Sequence, residues 1–110
     1  MLFRSAALFV HHDWASMHTK FESPFVEIQH HILLPWASEI KEAAAIAREK
    51  LTPALLAAIV GEVPDGWLES IPGGLSAADR RADYLAFLSR RLEASHIFEQ
   101  EAAHARARIV

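Results

Sequence analysis

The segment between Ser76 and Leu92 is the clearest amphipathic stretch of this chain, and it constrains the fold more than any other feature. Ser76 can cap the first turn of a helix, and the side chain of Asp79, three residues later, can form the reciprocal hydrogen bond of a capping box. Apolar side chains then recur at spacings of three and four, which places them on one helical face. The predicted face consists of Tyr84, Leu85, Leu88 and Leu92, with Phe87 widening it. Such a stripe needs a partner surface, so we expect the rest of the chain to supply helices that pack against it.

The rest of the chain carries several helix start and stop signals. Ser23-Pro24 and Thr52-Pro53 each place a capping residue before a proline, which suits the first position of a helix. Pro64-Asp65-Gly66 and Pro72-Gly73-Gly74 mark turns. The predicted helices cover residues 24–33, about 36–50, 53–60, 76–92, and a last segment that Ser95 caps. We expect the tryptophans Trp14, Trp36 and Trp67 to anchor the core, with Leu68 beside the last of them.

These signals predict a mainly α fold, with about five helices in a compact orthogonal bundle. Its 110 residues fit a single domain, residues 1–110, in which residues 1–23 form an extended arm and loop and residues 24–110 form the helices. The apolar run Ala6-Ala-Leu-Phe-Val10 is rich in strand formers. It predicts one short N-terminal strand or, alternatively, an irregular arm that lies over the helices.

Composition narrows the classes of function. The formal net charge is −3 and basic residues alternate with acids, so nucleic acid is not expected as a partner. There are no cysteines, which excludes disulfides and thiolate metal sites and fits a cytoplasmic location. The apolar start, Met1 to Val10, carries its charge in the middle and is followed by His11-His12-Asp13, unlike a signal peptide. No stretch is long enough to span a bilayer, so we expect no membrane contact.

The residues capable of chemistry do not form a recognised site. Adjacent histidines such as His11-His12 and His30-His31 diverge on a helix or strand, and no His-Glu-x-x-His spacing occurs. The serines that we considered lack the glycine-flanked elbow of a nucleophile, and they are Ser5, Ser16, Ser38 and Ser89. Arginines of the 76–92 segment are expected on a solvated face. We therefore assign no catalytic, cofactor-binding or metal-binding residue. A small enzyme that uses Asp13, His18 and the neighbouring histidines stays open as a third alternative.

Three groups of segments, read together, resemble the C-terminal part of the bacterial HipA-like kinase family. Residues 6–14 look like the strand just after that family's metal-binding Ile-Asp-His-Gly segment. The second group joins Pro24-Phe25 to the stretch His31-Ile-Leu-Leu-Pro35. The third begins at Ile59-Val60 and is similar to the terminal helical pair of the family, through residues 63–68 and 81–94. The resemblance covers nearly the whole chain.

The resemblance implies a kinase-like C-lobe whose terminal helices brace the part that holds ATP and magnesium. Where the family carries a metal-binding aspartate, this chain has Phe3, and the family's glycine-rich loop, nucleotide-binding lysine and catalytic aspartate would lie before Met1. It thus implies a truncated phosphotransferase subdomain that is inactive alone, holds no cofactor itself, and has the missing N-terminal kinase lobe as its partner. That reading predicts an exposed apolar surface where the lobe docks. The alternative is a free-standing helical protein–protein interaction module, with a covered core, that binds a protein partner or itself.

Overall fold

A computed structural model describes residues 21–110, and this part of the protein is mainly α-helical. It holds five α-helices and two 3₁₀ helices, and no strand occurs among residues 21–110. The 3₁₀ helices are η1 (Val26–His30) and η2 (Leu34–Trp36). The α-helices are α1 (Ile40–Lys50), α2 (Pro53–Gly61), α3 (Asp65–Glu69), α4 (Ala77–Glu93) and α5 (Ser95–Ile109). The predicted strand or arm at residues 6–10 and the positions of Phe3 and Trp14 lie outside the described residues.

The starts of α2 and α4 follow from local capping, as the sequence predicts. The Thr52 Oγ1 accepts a hydrogen bond from the Leu55 backbone N–H, at 3.2 Å. The Ser76 Oγ accepts from the Asp79 N–H at 3.1 Å and donates to the Asp79 Oδ2 at 2.8 Å. Each cap satisfies an amide that has no partner within its helix, which stabilises the helix by about 1 kcal/mol. The predicted capping pair at the start of α4 is confirmed.

The predicted helix over residues 24–33 is wrong, because the backbone there bends before a full α-helical turn can form. Phe25 lies in the left-handed region, with φ 55° and ψ 63°. The chain therefore cannot continue from Pro24 into a right-handed helix, and it forms the short η1 instead. Pro35 restricts the residue before it and lacks an N–H, so η2 is also short. The following helix begins at Ile40, four residues later than predicted.

The helices pack in two groups. In the first, α2 and α3 pack against α4, whereas in the second η1, η2 and α1 pack against α5. A single residue, Ala94, joins α4 to α5. The buried apolar residues are Leu34, Leu56, Val60, Leu68, Ala77, Phe87, Ala94 and Ala105. Trp36 and Trp67 are 77% and 71% exposed, so the prediction that they anchor the core is wrong, while Leu68 is buried as expected.

The buried face of α4 differs from the predicted leucine stripe. Positions 77, 80, 87 and 94 are buried, and positions 84 and 91 between them are half-buried. These six positions also follow spacings of three and four, but two of them are arginines. The predicted members Leu85, Leu88 and Leu92 are only half-buried. The stripe is therefore rotated towards Arg80 and Arg91.

Candidate interaction surface

Arg80 holds the turn between α3 and α4 from inside the protein. Its side chain is fully buried, and its Nη2 donates to the Ile71 carbonyl at 2.7 Å and to the Pro72 carbonyl at 2.9 Å. Gly73, the next residue of the turn, has φ 122° and would place a Cβ 3.4 Å from the same nitrogen. The Arg80 guanidinium thus supplies the hydrogen-bond donors that these two loop carbonyls need away from water.

Two further arginines of α4 act in the same way on other loops. The Arg81 Nη2 donates to the Val63 carbonyl and pairs with the exposed Asp65 carboxylate, which secures the turn before α3. The Arg91 Nη1 donates to the carbonyls of Phe21, at 3.0 Å, and Ser23, at 2.6 Å. The prediction that these arginines lie on a solvated face is wrong, because their donors are directed to backbone carbonyls.

Arg91 also connects the two helix groups. Its guanidinium carbon lies 4.4 Å from the centroid of the Phe98 ring on α5, a distance suited to a cation–π contact. Burial lowers the pKa of the Arg91 guanidinium from its ordinary value, although arginine keeps its charge in proteins. Arg91 therefore joins α4, α5 and the segment that leads into η1.

The described histidines do not form a metal site. The His30 Nε2 lies 3.9 Å from the Glu27 Oε2 on the exposed surface, and the His31 Nδ1 accepts the Leu33 N–H at 3.2 Å. Within residues 21–110, no three His, Asp or Glu side chains are placed to hold one metal ion. The other sequence candidates, His11, His12, Asp13 and His18, lie outside the described residues.

The described serines singled out from the sequence lie in a loop or within helices. Ser38 is exposed in the loop before α1, and Ser89 is half-buried within α4. Ser95, which the sequence predicts to cap α5, is instead its first residue and is preceded by the capping position Ala94. The Ser95 Oγ accepts from the Arg48 Nη1 at 3.3 Å, and the same nitrogen lies 2.6 Å from the Glu99 Oε2. Arg48 thus fastens α1 to α5. Ser5 and Ser16 lie outside the described residues.

A surface of large apolar side chains lies at the turn between η1 and η2. Ile32, Leu33 and Trp36 are 74%, 60% and 77% exposed, and we call these three residues the docking patch. Leu34, between them, is only 3% exposed and holds the turn against the protein. The His31 side chain and the backbone bond from Trp36 N–H to the Leu33 carbonyl fix the turn further. The patch is therefore presented by an ordered segment.

An open apolar groove of about 190 Å³ lies between η1, α1 and α5. Its apolar walls comprise Pro24, Phe25, Ile28, Ile40, Ala44, Phe98 and Ala102. Its two charged lining residues are Arg91, which donates to loop carbonyls, and Glu99, which pairs with Arg48. Since both charges have protein partners, the groove suits an apolar side chain better than a charged ligand. It borders η1, which in turn contacts η2 of the docking patch.

Comparisons with family models, curated proteins and solved structures yielded no match to this chain. The resemblance to the HipA-like kinases therefore stays a prediction from the sequence. None of the helices within residues 21–110 combines the length and apolar character needed to cross a membrane.

Sequence reasoning missed the docking patch because a Trp in an apolar context more often lies in a core. The run Ile32-Leu33-Leu34 reads as uniformly apolar, and only the 3₁₀ turn separates the buried Leu34 from its exposed neighbours. The signal that was present is Pro35, which prevents a regular helix through this run.

Proposed function

We propose that this chain is a helical module that binds another protein through the docking patch. The observation that carries the proposal is the exposure of three neighbouring large apolar side chains, Ile32, Leu33 and Trp36, at 60–77%. Exposed apolar clusters of this kind mark protein interaction sites. Trp is also among the residues that most often dominate binding energy at such sites.

The surroundings of the patch support a role in docking. Leu34 and the His31 side chain already order the turn in the unbound chain, which lowers the entropy cost of binding. The groove beside η1 can accept one apolar side chain of the partner. Trp36 would be the central anchor, with Ile32 and Leu33 excluding water around it.

In a second version of the proposal, the partner is the N-terminal part of a HipA-like kinase, and this chain is the helical end of that enzyme. What supports it is the order of the matching sequence segments and the exposed apolar surface that a missing lobe would cover. ATP and magnesium would then be held by the partner, and no residue of this chain is assigned to phosphoryl transfer. In the first version, the free-standing module, the partner is an unrelated protein.

The test is to compare binding by the unchanged chain with binding by Leu33→Ser/Trp36→Ala. A partner is first captured with the unchanged chain, purified, and titrated by calorimetry against each variant. We expect the double substitution to weaken binding at least tenfold, since hot-spot truncations cost about 2 kcal/mol or more. Glu39→Ala, an exposed change just beyond η2, is the matched control and should bind normally. Equal affinity of all three proteins for every captured partner would reject the patch as the binding site.

The kinase version has its own readout. The chain is mixed with the separately expressed N-terminal part of a HipA-like kinase, and co-elution and ATP turnover are measured with magnesium present. Complex formation that the Leu33→Ser/Trp36→Ala change abolishes would support this version. If the patch binds a different protein and the kinase part elutes alone, the free-standing module is the correct version.

A further inference from the structure

The junction between α4 and α5 is almost a continuous helix. Only Ala94 separates Glu93, the last residue of α4, from Ser95, the first residue of α5. The Ala94 N–H still donates to the Arg90 carbonyl at 3.0 Å, which is the hydrogen bond of a regular α-helix. The Ala94 φ of −85° lies near the helical range, whereas its ψ of 9° differs from the helical value of about −42°. The bend between α4 and α5 therefore depends chiefly on one backbone angle.

The local sequence does not require this bend. Neither glycine nor proline, the residues that most often end a helix, occurs between Leu75 and Val110. No side chain caps the first turn of α5, and its capping position is Ala94, the residue type that favours a helix most. Neighbouring residues alone thus favour one straight helix over residues 77–109, which would be about 50 Å long. Contacts with other parts of the fold hold the junction bent.

The elements that hold α5 in place are η1, η2 and α1. Arg48 on α1 bonds the Ser95 Oγ at 3.3 Å and the Glu99 carboxylate at 2.6 Å. Helix α5 buries Ala105 fully, but α1 contributes no buried residue, and an open groove lies between α5, η1 and α1. Packing with few buried apolar side chains belongs to the low-stability part of a fold, where local opening occurs.

We propose that two copies of this chain exchange their α5 helices. In each copy Ala94 becomes helical, α4 and α5 form one straight helix, and α5 leaves its own η1, η2 and α1 to pack on those of the second copy. The surface that receives α5 is the one that α5 covers within the single chain, so the structure itself shows the fit of this occupant. Domain swapping of this kind is a low-cost route to a dimer, because the same contacts are made again.

Every contact across the exchanged surface changes from within one chain to between two chains. Arg48 of each copy pairs with Glu99 of the other. The contact between Arg91 and Phe98, at 4.4 Å, cannot persist inside one straight helix, because residues seven apart are separated by about 10 Å along its axis. Phe98 therefore meets Arg91 of the second copy. Association costs the freedom of two separate chains, so the dimer is expected at high protein concentration.

The exchange is independent of the docking patch. Ile32, Leu33 and Trp36 are exposed while α5 is in place, so an α5 from a second copy leaves them exposed as well. The swapped dimer therefore carries two docking patches. The variant Leu33→Ser/Trp36→Ala should dimerise as the unchanged chain does, which makes loss of partner binding and loss of exchange two separate results.

Charge exchange between chains tests the proposal. Arg48→Glu and Glu99→Arg each place like charges at the site of the Arg48–Glu99 pair, both in the single chain and in the dimer of that variant alone. When the two variants are refolded together from urea, a swapped dimer of one chain of each regains opposite charges at both contacts. Native mass spectrometry should show this mixed dimer at about tenfold above its statistical proportion. In a dimer without exchange, the pair stays within each chain and mixing brings no gain.

The hinge provides a second test. Ala94→Gly disfavours a helical conformation at this residue by about fourfold to fivefold, so with two hinges the dimer association constant should fall about 20-fold. Ala82→Gly, an exposed change inside α4, is the matched control, because residue 82 is helical in both forms. Size-exclusion chromatography with light scattering measures the constant, and circular dichroism checks that each variant is folded.

Three results would overturn the exchange of α5. One is a chain that stays monomeric after refolding at high concentration. Another is a dimer that gains nothing when the two charge variants are mixed. The third is a dimer that Ala94→Gly and Ala82→Gly weaken equally, because its hinge would then not have become helical.

Discussion

At the residue scale, arginine serves this protein as a core-facing side chain. Arg80, which is fully buried, and Arg91, which is half-buried, lie on the buried stripe of α4, and one nitrogen of each donates to two loop carbonyls. Loop carbonyls that are taken out of water need a donor, and the guanidinium supplies several in a fixed plane. The same bonds hold the backbone of these turns in place.

The titration of Tyr84 is the first prediction, and it follows from burial on the same stripe. Desolvation raises the pKa of the Tyr84 phenol above 10.0, and the positive charge of Arg80 opposes part of this rise. Because the folded pKa is raised, the stability contributed by neutral Tyr84 is fully present below pH 10 and is lost as pH rises through the folded pKa. The phenol is partly exposed, so solvent reduces the size of the effect.

Tyr84 is the only tyrosine of the chain, so tyrosinate absorbance reports on it alone. We expect the midpoint in the folded protein to lie above that in concentrated denaturant. The Tyr84→Phe variant should show no transition in this range. Identical midpoints in the folded and denatured chain would contradict the assignment of Tyr84 to a desolvated position.

At the element scale, the turn between α3 and α4 depends on a glycine that no other residue replaces well. Gly73 has φ 122°, which side chains with a Cβ rarely adopt, and the added carbon would approach the Arg80 guanidinium. Gly73→Ala should therefore lower the free energy of unfolding by about 1–3 kcal/mol. Gly66 lies within α3 with open space around it. Gly66→Ala is the matched control and should stabilise the protein by about 0.4–1 kcal/mol.

Urea denaturation of the two glycine variants measures both effects. Equal stability changes at positions 66 and 73 would show that the turn relaxes freely and that its backbone geometry carries no cost.

Elements that depend on neighbouring residues were predictable from the sequence, and elements that depend on distant contacts were not. Thr52 and Ser76 cap their helices through amides three residues away, so local pattern was sufficient. The segment before α1 is held by Arg91, about 70 residues further along the chain, and its Phe25 adopts a left-handed conformation. No periodicity encodes such a contact. The docking patch was missed because the short η1 and η2 decide which of its apolar residues are exposed.

At the scale of the whole molecule, the fold consists of two helix groups that meet where α4 contacts α5. Ala94 joins α4 to α5, and Arg91 reaches from α4 to Phe98 and to the segment before η1. The first group has a small apolar core around α2 and α4, and the second is fastened by the Arg48–Glu99 pair. Helices that pack mainly within one group tend to open together, as a local unfolding unit.

The last prediction is that the two groups differ in their local stability, and matched truncations can show it. Val60→Ala removes buried methyl groups from α2, and Ala105→Gly removes one from the fully buried position of α5. Each should lower stability by about 1–2 kcal/mol. In native-state hydrogen exchange, Val60→Ala should accelerate exchange mainly in α2, α3 and α4, and Ala105→Gly mainly in α1 and α5. If either change accelerates exchange equally throughout residues 21–110, the two groups unfold as one unit, and the contacts of Arg91 couple them fully.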